Sequence, residues 1–245
     1  MGAPGCDDAP IIDVELGNKP KDITVIYPYY ENRLFLEEQI ERWRKLPEQF
    51  RKQLTFLIVD DGSPDNPVKL QRILGLDLRF FRIDVDVRWN WLAARNIGAH
   101  EADSEWLLLT DIDHVVPEKT FEKLLFGRHD PYTIYRFSRS EHTGEKIHPH
   151  PNSWFMTKDM FWRVGGYDEA LSGHYGTDGE YRRRCAATAK IRIHKDDLIR
   201  FEYVGDSSTL RYKRKQPEDA AAKKMIKARS HNWVPKTLSF PYHEL

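Results

Sequence analysis

The sequence is poor in cysteine, in long apolar runs and in net charge. Its 245 residues include two cysteines, Cys6 and Cys185, too few for a disulfide framework or a zinc knuckle and typical of a reducing compartment. Lys plus Arg equals Asp plus Glu at 38 each, so no bulk field draws the chain to nucleic acid or to a membrane. No apolar run approaches the roughly 18 residues of a membrane span, and residues 1–10 lack the regions of a signal peptide. We therefore expect a soluble, cytoplasmic (intracellular) protein with no transmembrane segment.

Short apolar strands alternate with helical patterns in the first half of the chain. Strand-like runs occupy residues 23–27, 54–59, 79–84 and 106–110. The helical pattern after the first run carries Leu36, Ile40 and Trp43 on one face, and others follow over residues 68–74 and 93–102. Near-continuous apolar strands that alternate with helices predict an α/β fold with a mainly parallel central sheet, covered on both faces.

The chain is expected to form one domain, because 245 residues with 40% hydrophobic content can bury one sizeable core. Residues 1–21 are rich in Asp, Gly and Pro and are predicted to be a leader. Residues 22–116 and 117–205 form the alternating and the mixed half of the same domain. Residues 206–245 form a basic C-terminal segment whose last helix is predicted from Pro217 to about Arg229, with acids in its first turn and lysines toward its end.

Polar clusters follow three of the predicted strands. Tyr29 to Glu31 follow the first, Asp60 to Ser63 the second and Asp111 to His114 the fourth. Ligands of open parallel sheets bind outside the carboxyl ends of the strands. Three separate loops are therefore expected to meet at one crevice.

The run WLLLTDIDHVVP, residues 106–117, ends an apolar strand in two acids. On an extended strand the side chains of Asp111 and Asp113 would share one side, whereas His114 would point away from it. Two close carboxylates repel each other unless a cation lies between them, and carboxylate oxygens suit Mg²⁺ or Mn²⁺. An isolated D-x-D is usually a solvated turn, but the other strand-end clusters favour a metal site here.

Five motifs in order, VIYPYYEN, LIVDDGSPD, LAARNIGA, LLLTDIDHV and VGGYDE, resemble those of family-2 glycosyltransferases with the GT-A (Rossmann-like) fold. The resemblance spans about residues 22–205. It implies a metal-dependent, inverting glycosyltransferase with Mn²⁺ or Mg²⁺ as cofactor and a nucleotide-sugar donor, most commonly a UDP-sugar. Residues 22–116 would bind the donor and residues 117–205 a hydroxyl-bearing acceptor.

The resemblance also assigns roles to single residues of the donor half. Asp113 would be the principal metal ligand, and Asp111 would face the ribose or the metal. The third ligand is left open among His114, His194, His231 and Asp206, with Asp206 included in the predicted set. The predicted nucleotide-sugar contacts are Pro28, Tyr30, Glu31, Asp60, Asp61, Arg95, Asn96 and Asp111, with Lys213 and Arg214 from the C-terminal segment.

In the acceptor half, the resemblance points to a carboxylate after VGGYDE, and YGTDGEYRRR offers Asp178, with Glu180 as second choice. An acceptor hydroxyl must lose its proton as it attacks, and a positioned base contributes about 10²- to 10⁴-fold. The alternative is that Asp178 only caps the following helix. His150, Asn152 and Trp154 of HPHPNSW suit contacts with a sugar, although the segment could equally be a proline-stiffened connection.

The RYKRK cluster, residues 211–215, is the strongest local positive charge. Most charge runs are solvated faces. We expect this one to be a lid over the donor diphosphate. Alternatively, with Arg182, Arg183 and Arg184 it could bind nucleic-acid phosphates, and the acceptor would then be a hydroxylated base in DNA. The sequence is also compatible with a nucleotidyltransferase or a non-catalytic carbohydrate-binding module.

Overall fold

The computed structural model describes residues 17–69, 73–200, 217–230 and 232–245. The donor half alternates strands and helices as the sequence pattern predicts, except between β2 and β3, where the described residues include no helix. Its elements are β1 (Ile23–Tyr29), α1 (Arg33–Arg44), α2 (Glu48–Arg51), β2 (Leu54–Asp60), β3 (Asp77–Ile83), α3 (Trp91–Glu101), β4 (Trp106–Leu109) and β5 (His114–Val115). The helix expected over residues 68–74 lies partly outside the described residues.

The second half is mixed. Its elements are α4 (Glu118–Phe126), β6 (Thr133–Glu141), β7 (Lys146–Ile147), β8 (Trp154–Thr157), α5 (Lys158–Val164), a 3₁₀ turn (Glu169–Leu171), α6 (Asp178–Thr188), β9 (Lys190–Arg200), α7 (Asp219–Lys227) and β10 (Tyr242–Glu244). Helix α7 has Asp219 in its first turn and Lys224 and Lys227 in its last, the charge order that the helix dipole favours. None of the helices in the described ranges is long and apolar enough to cross a membrane.

One sheet runs through the described residues in the order β10-β3-β2-β1-β4-β8-β6-β9-β5, with β7 beside β6. Strands β3, β2, β1 and β4 are parallel neighbours, so their carboxyl ends lie along one edge. Strand β8 runs antiparallel to both β4 and β6. The last strand, β10, pairs antiparallel with β3, which brings the C-terminal residues back to the donor half.

Both faces of the sheet are covered, as the continuous apolar strands predict. Val25 and Tyr27 belong to one core cluster, and Ile26 between them belongs to a second, because strand side chains alternate between faces. Trp43 of α1 stacks on Phe56 of β2 with ring centroids 4.2 Å apart. The rigid core holds the strand-end loops in place.

Candidate active site

The chain turns sharply where β4 ends. Strand β4 stops at Leu109, and the His114 amide donates to the Asp111 carbonyl at 3.0 Å. The buried Gln39 amide of α1 fixes this turn by donating to the Ile112 carbonyl at 2.9 Å and the His114 carbonyl at 2.8 Å. The expectation of an extended D-x-D segment was wrong here, because the turn directs the two carboxylates to different partners and brings His114 beside Asp113.

Asp111 is held by two basic side chains. It forms an ion pair with Arg95, which is fully buried and lies with its guanidinium 4.6 Å from the centroid of the Trp91 ring. Its second oxygen lies 3.0 Å from His150 Nε2. Burial disfavours the charged form of Asp111, but Arg95 and His150 outweigh burial and lower its pKa. Asp111 is therefore an ionised carboxylate at the mouth of the site.

Asp113 and His114 form a second pair. His114 Nδ1 lies 2.7 Å from Asp113 Oδ1, and His114 Nε2 lies 3.1 Å from Arg139 Nη1. Burial opposes the ionisation of Asp113, but His114 more than offsets burial and lowers its pKa. The rings of His114 and His150 are 4.1 Å apart between centroids, so this pair adjoins the partners of Asp111.

The residues fit a divalent metal ion. Asp111, His114 and His150 each offer a ligand atom, and these atoms lie within 4.8 Å of one another. Burial, with His114 nearby, lowers the pKa of His150, which favours the neutral imidazole that binds metals. Asp113, the expected principal ligand, is joined to this group through His114. A carboxylate behind a ligating histidine commonly orients the ring.

Of the other expected third ligands, Asp206 and His231 lie outside the described residues. His194 stacks on Phe137 with ring centroids 5.6 Å apart and lies beside His129, so it packs among aromatic rings.

The loop of residues 148–153 connects the candidate metal ligands to Asp178. Asn152 Nδ2 donates to Asp178 Oδ1 at 2.6 Å. Ser153 Oγ lies 2.9 Å from His150 Nδ1 and 2.8 Å from Thr110 Oγ1. The loop expected to bind the acceptor therefore contacts both acids, Asp111 through His150 and Asp178 through Asn152.

Asp178 is the first residue of α6, and Thr177 is the N-cap, so Asp178 does not occupy the capping position. It is half-buried. Glu180 is buried and ion-paired with Arg184 at 2.7 Å and with Arg229 at 3.0 Å, so its carboxylate is held by two arginines. Trp154 is fully buried in β8, so its indole presents no face to an acceptor in this conformation.

Two adjacent acids end β2 in different environments. Asp60 accepts from the Ser63 and Val68 amides at 2.9 Å each and from Arg82 at 2.7 Å, so it fixes the loop. Asp61 is 5% exposed, and its Oδ1 has no partner among the described residues. Burial, then the charges of Asp60 and Asp86, raise the pKa of Asp61 well above its usual range. Of the two, Asp61 keeps an oxygen for a ligand.

The remaining donor-half residues also tie loops together. Tyr30 donates to Asp86 at 3.0 Å, and the Glu31 carboxylate accepts from the Asp65 amide at 2.8 Å. Pro28 lies in β1, half-buried. Asn96 donates to the Tyr167 carbonyl at 2.8 Å and accepts from its amide at 2.8 Å, which joins α3 to the VGGYDE segment. Lys213 and Arg214 fall outside the described residues.

Three residues near the site, Gln39, Arg139 and Tyr167, were not predicted from the sequence. The sequence offered one sign of the role of Gln39, because this polar residue lies on the apolar face of α1 between Leu36 and Ile40. No local sequence pattern indicated Arg139, since it contacts His114 only because the sheet brings distant strands together. The Tyr167 hydroxyl is buried without a partner among the described residues, and the centroid of its ring lies 5.6 Å from the Arg95 guanidinium.

The mixed α/β architecture, with a central and mostly parallel sheet, matches the GT-A fold of solved glycosyltransferases. The chain belongs to glycosyl transferase family 2, whose model matches residues 24–194. Its described residues form a mixed α/β domain with a mostly parallel central sheet, and the family and fold predictions are thereby confirmed.

A curated relative also has the name of a sugar transferase. The chain is 23% identical over 185 residues to the undecaprenyl-phosphate 4-deoxy-4-formamido-L-arabinose transferase of Proteus mirabilis, covering 72% of this chain and 53% of that protein. It thus spans about half the length of this curated relative.

Two solved structures share the fold. The S. aureus TarS fragment in complex with UDP-GlcNAc has a TM-score of 0.62 at 14% identity, over 84% of this chain and 65% of that one. The mannosyltransferase PcManGT of Pyrobaculum calidifontis in complex with GDP-Man and Mn²⁺ has a TM-score of 0.56 at 15% identity, over 91% and 73%.

Proposed function

We propose that the chain transfers a sugar from a nucleotide-sugar to a hydroxyl acceptor, with a metal at the Asp111 cluster and Asp178 as general base. The observation that supports this most is the loop of residues 148–153. It hydrogen-bonds Asp178 through Asn152 and contacts Asp111 through His150. Transfer to a hydroxyl requires a proton acceptor and a diphosphate-binding group that are held in place together, and this loop contacts both.

Asp178 would take the proton of the attacking hydroxyl. Its Oδ1 accepts from Asn152 at 2.6 Å, which fixes the carboxylate while the second oxygen faces the acceptor. A hydroxyl deprotonated on one side of the anomeric carbon displaces the nucleotide from the other side. The reaction proposed is therefore a single displacement with inversion.

Asp111, His114 and His150 would hold the metal, with Asp113 behind His114. Two imidazoles beside a carboxylate favour Mn²⁺ over Mg²⁺, which prefers oxygen ligands. When bound, the ion neutralises the negative charge that develops on the leaving diphosphate. Arg95 holds Asp111 in place from within the core.

The donor half would bind the nucleotide. Asp61 has a buried oxygen without a partner among the described residues and would accept a hydrogen bond from the base, and Tyr30 would lie against the base. We propose a UDP-sugar, because the TarS neighbour is described with UDP-GlcNAc. PcManGT is described with GDP-Man, so a donor panel decides the nucleotide.

The test is a panel of nucleotide-sugars incubated with Mn²⁺ or Mg²⁺ and candidate acceptors, read by nucleotide release and by mass spectrometry of the acceptors. Release of a nucleoside diphosphate with a sugar-sized mass gain supports the proposal. Release of pyrophosphate would instead indicate a nucleotidyltransferase. Saturable donor binding without nucleotide release, for every combination of donor, metal and acceptor, would indicate a binding module.

DNA with a hydroxylated base belongs in the acceptor panel. The proposed arginine track is interrupted, however, because Arg184 is ion-paired with Glu180 and donates to the Val164 carbonyl at 2.7 Å. We therefore place DNA second to a smaller hydroxyl acceptor.

A further inference from the structure

A basic pocket lies next to Asp178, between the beginning of α6 and helix α7. Its volume is about 440 Å³, and its lining includes Thr177, Gly179, Arg183, Lys223 and Lys227. Asp178 stands between Thr177 and Gly179 in the chain, yet its carboxylate is directed to Asn152. The pocket and the proposed base thus share one turn of α6.

The beginning of α6 leaves hydrogen-bond donors without acceptors. The first amides of a helix have no intrahelical partner and carry the positive end of the helix dipole. The Glu180 amide donates to the Thr177 carbonyl at 3.0 Å, while within the described ranges no acceptor is found for the amides of Asp178 and Gly179. Helix α6 has 11 residues, long enough for its dipole to favour an anion.

Thr177 adds an independent sign of a ligand. It is 4% exposed, and its hydroxyl has no hydrogen-bond partner in the part of the chain that the structure describes. As the N-cap it would ordinarily accept from an amide of the first turn, but it makes no such bond. A buried hydroxyl without a partner costs free energy, which a ligand oxygen in the pocket would recover.

The charges around the pocket are positive. Arg183, Lys223 and Lys227 line it, and none of them is ion-paired with a carboxylate of the described residues. Glu180 is the acid in the lining, but Arg184 and Arg229 neutralise it. Amides, a hydroxyl and three cations around one pocket match a compact oxyanion such as phosphate.

We propose that this pocket binds a phosphate group carried by the acceptor, so that the substrate is a phosphorylated hydroxyl compound. The inference rests on the proposed function, because it takes Asp178 as the base. A phosphate held beside Thr177 would place a hydroxyl of the same molecule near Asp178. A single small pocket suits one phosphate group rather than a continuous nucleic-acid strand.

The experiment titrates the full chain with inorganic phosphate at low ionic strength, followed by calorimetry or ³¹P NMR, with no donor present. Lys223→Gln combined with Lys227→Gln should raise the Kd about tenfold or more, since two charge-assisted hydrogen bonds are lost. The matched control, Lys224→Gln, lies on the same helix outside the pocket and should leave the Kd within about twofold. Absence of saturable binding, or an equal effect of Lys224→Gln, would overturn the inference.

Thr177→Val separates binding from folding. The change removes a hydroxyl that has no partner in the described residues, so thermal stability should stay unchanged or rise, while the phosphate Kd should rise about three- to tenfold. A variant that binds phosphate as tightly as the unchanged chain would count against the assignment.

The source of the phosphate is tested by competition and transfer. Sugar phosphates should displace inorganic phosphate and accept sugar better than their dephosphorylated forms, and the double lysine variant should lose that preference. Displacement by an oligonucleotide without terminal phosphates, but not by sugar phosphates, would refute a small phosphorylated acceptor. Phosphate binding without any transfer would refute the proposed function and leave the anion pocket standing, whereas transfer without phosphate binding would refute the pocket alone.

Discussion

Asp60 and Asp61 show how neighbouring, chemically identical residues take different roles. Asp60 accepts three hydrogen bonds, one of them from Arg82, so its charge is compensated and its oxygens are used in the fold. Burial raises the pKa of both carboxyls, but Asp61 has no such cation among the described residues and its pKa is raised well above the usual range. Only the structure separates the two, because the sequence shows them as a pair at the end of the same strand.

The raised pKa of Asp61 predicts a pH dependence of stability. Between the unfolded pKa of about 3.9 and the higher folded pKa, the folded state binds the proton and the unfolded state does not, so the free energy of unfolding falls as pH rises. Asp61→Asn removes this group, and its stability relative to the unchanged chain should therefore rise with pH over that window. Denaturant unfolding of both proteins across the pH range measures this. A constant difference between them would contradict the prediction.

The arrangement of the candidate metal ligands predicts that two substitutions weaken Mn²⁺ binding to different degrees. Asp111→Asn should abolish measurable Mn²⁺ binding because it removes a ligand charge, and Asp113→Ala should weaken binding by about 10- to 100-fold because His114 loses its orienting carboxylate. Mn²⁺ titration followed by electron paramagnetic resonance distinguishes the two. Asp103→Asn, a change at a side chain that is 95% exposed, is the control. Full binding in both cluster variants would show that the ion site lies elsewhere.

At the scale of elements, residues 236–245 form a strap that contacts the 3₁₀ turn and ends beside β3. The amides of Leu238 and Ser239 donate to the Glu169 carboxylate at 2.7 and 2.6 Å, and Glu169 also accepts from Asn96 at 2.8 Å. Strand β10 then pairs with β3. The acids of VGGYDE thus join α3, the 3₁₀ turn and the chain's last strand.

Glu169→Ala should destabilise the fold by about 1–3 kcal/mol, because the Leu238 and Ser239 amides and the buried Asn96 side chain lose an acceptor that they share. Glu122→Ala, an exposed position on α4, should change the free energy of unfolding by less than about 0.5 kcal/mol. Equilibrium denaturation measures both. Similar values for the two variants would mean that the strap contributes little.

The elements that the sequence predicts well are those with strong local patterns. Strands β1, β2 and β4 lie where apolar runs of β-branched residues and leucine indicated, and α7 lies where Pro217, an acidic first turn and terminal lysines indicated. The turn at residues 111–114 was missed because it depends on Gln39, more than seventy positions away. Strand β10 was missed because three residues carry too little pattern to reveal a partner such as β3.

At the scale of the molecule, the family and the position of the site at the strand ends could be predicted, but its internal contacts could not. Ordered motifs indicated the family, since they record which loops meet. The contacts of His150 with Asp111 and of Asn152 with Asp178 depend on how β8 returns beside β4. No local pattern encodes that return.

Asp178→Asn tests whether Asp178 is the general base of sugar transfer. The change preserves size and leaves an oxygen that can accept from Asn152, but it removes the ability to take a proton. The variant and the unchanged chain are compared with Mn²⁺, a nucleotide-sugar and an accepted hydroxyl compound, and donor binding and nucleoside diphosphate release are measured for both. We expect equal donor affinity and a loss of transfer of about 10²-fold or more in the variant. Unchanged turnover in the Asn variant would contradict this expectation.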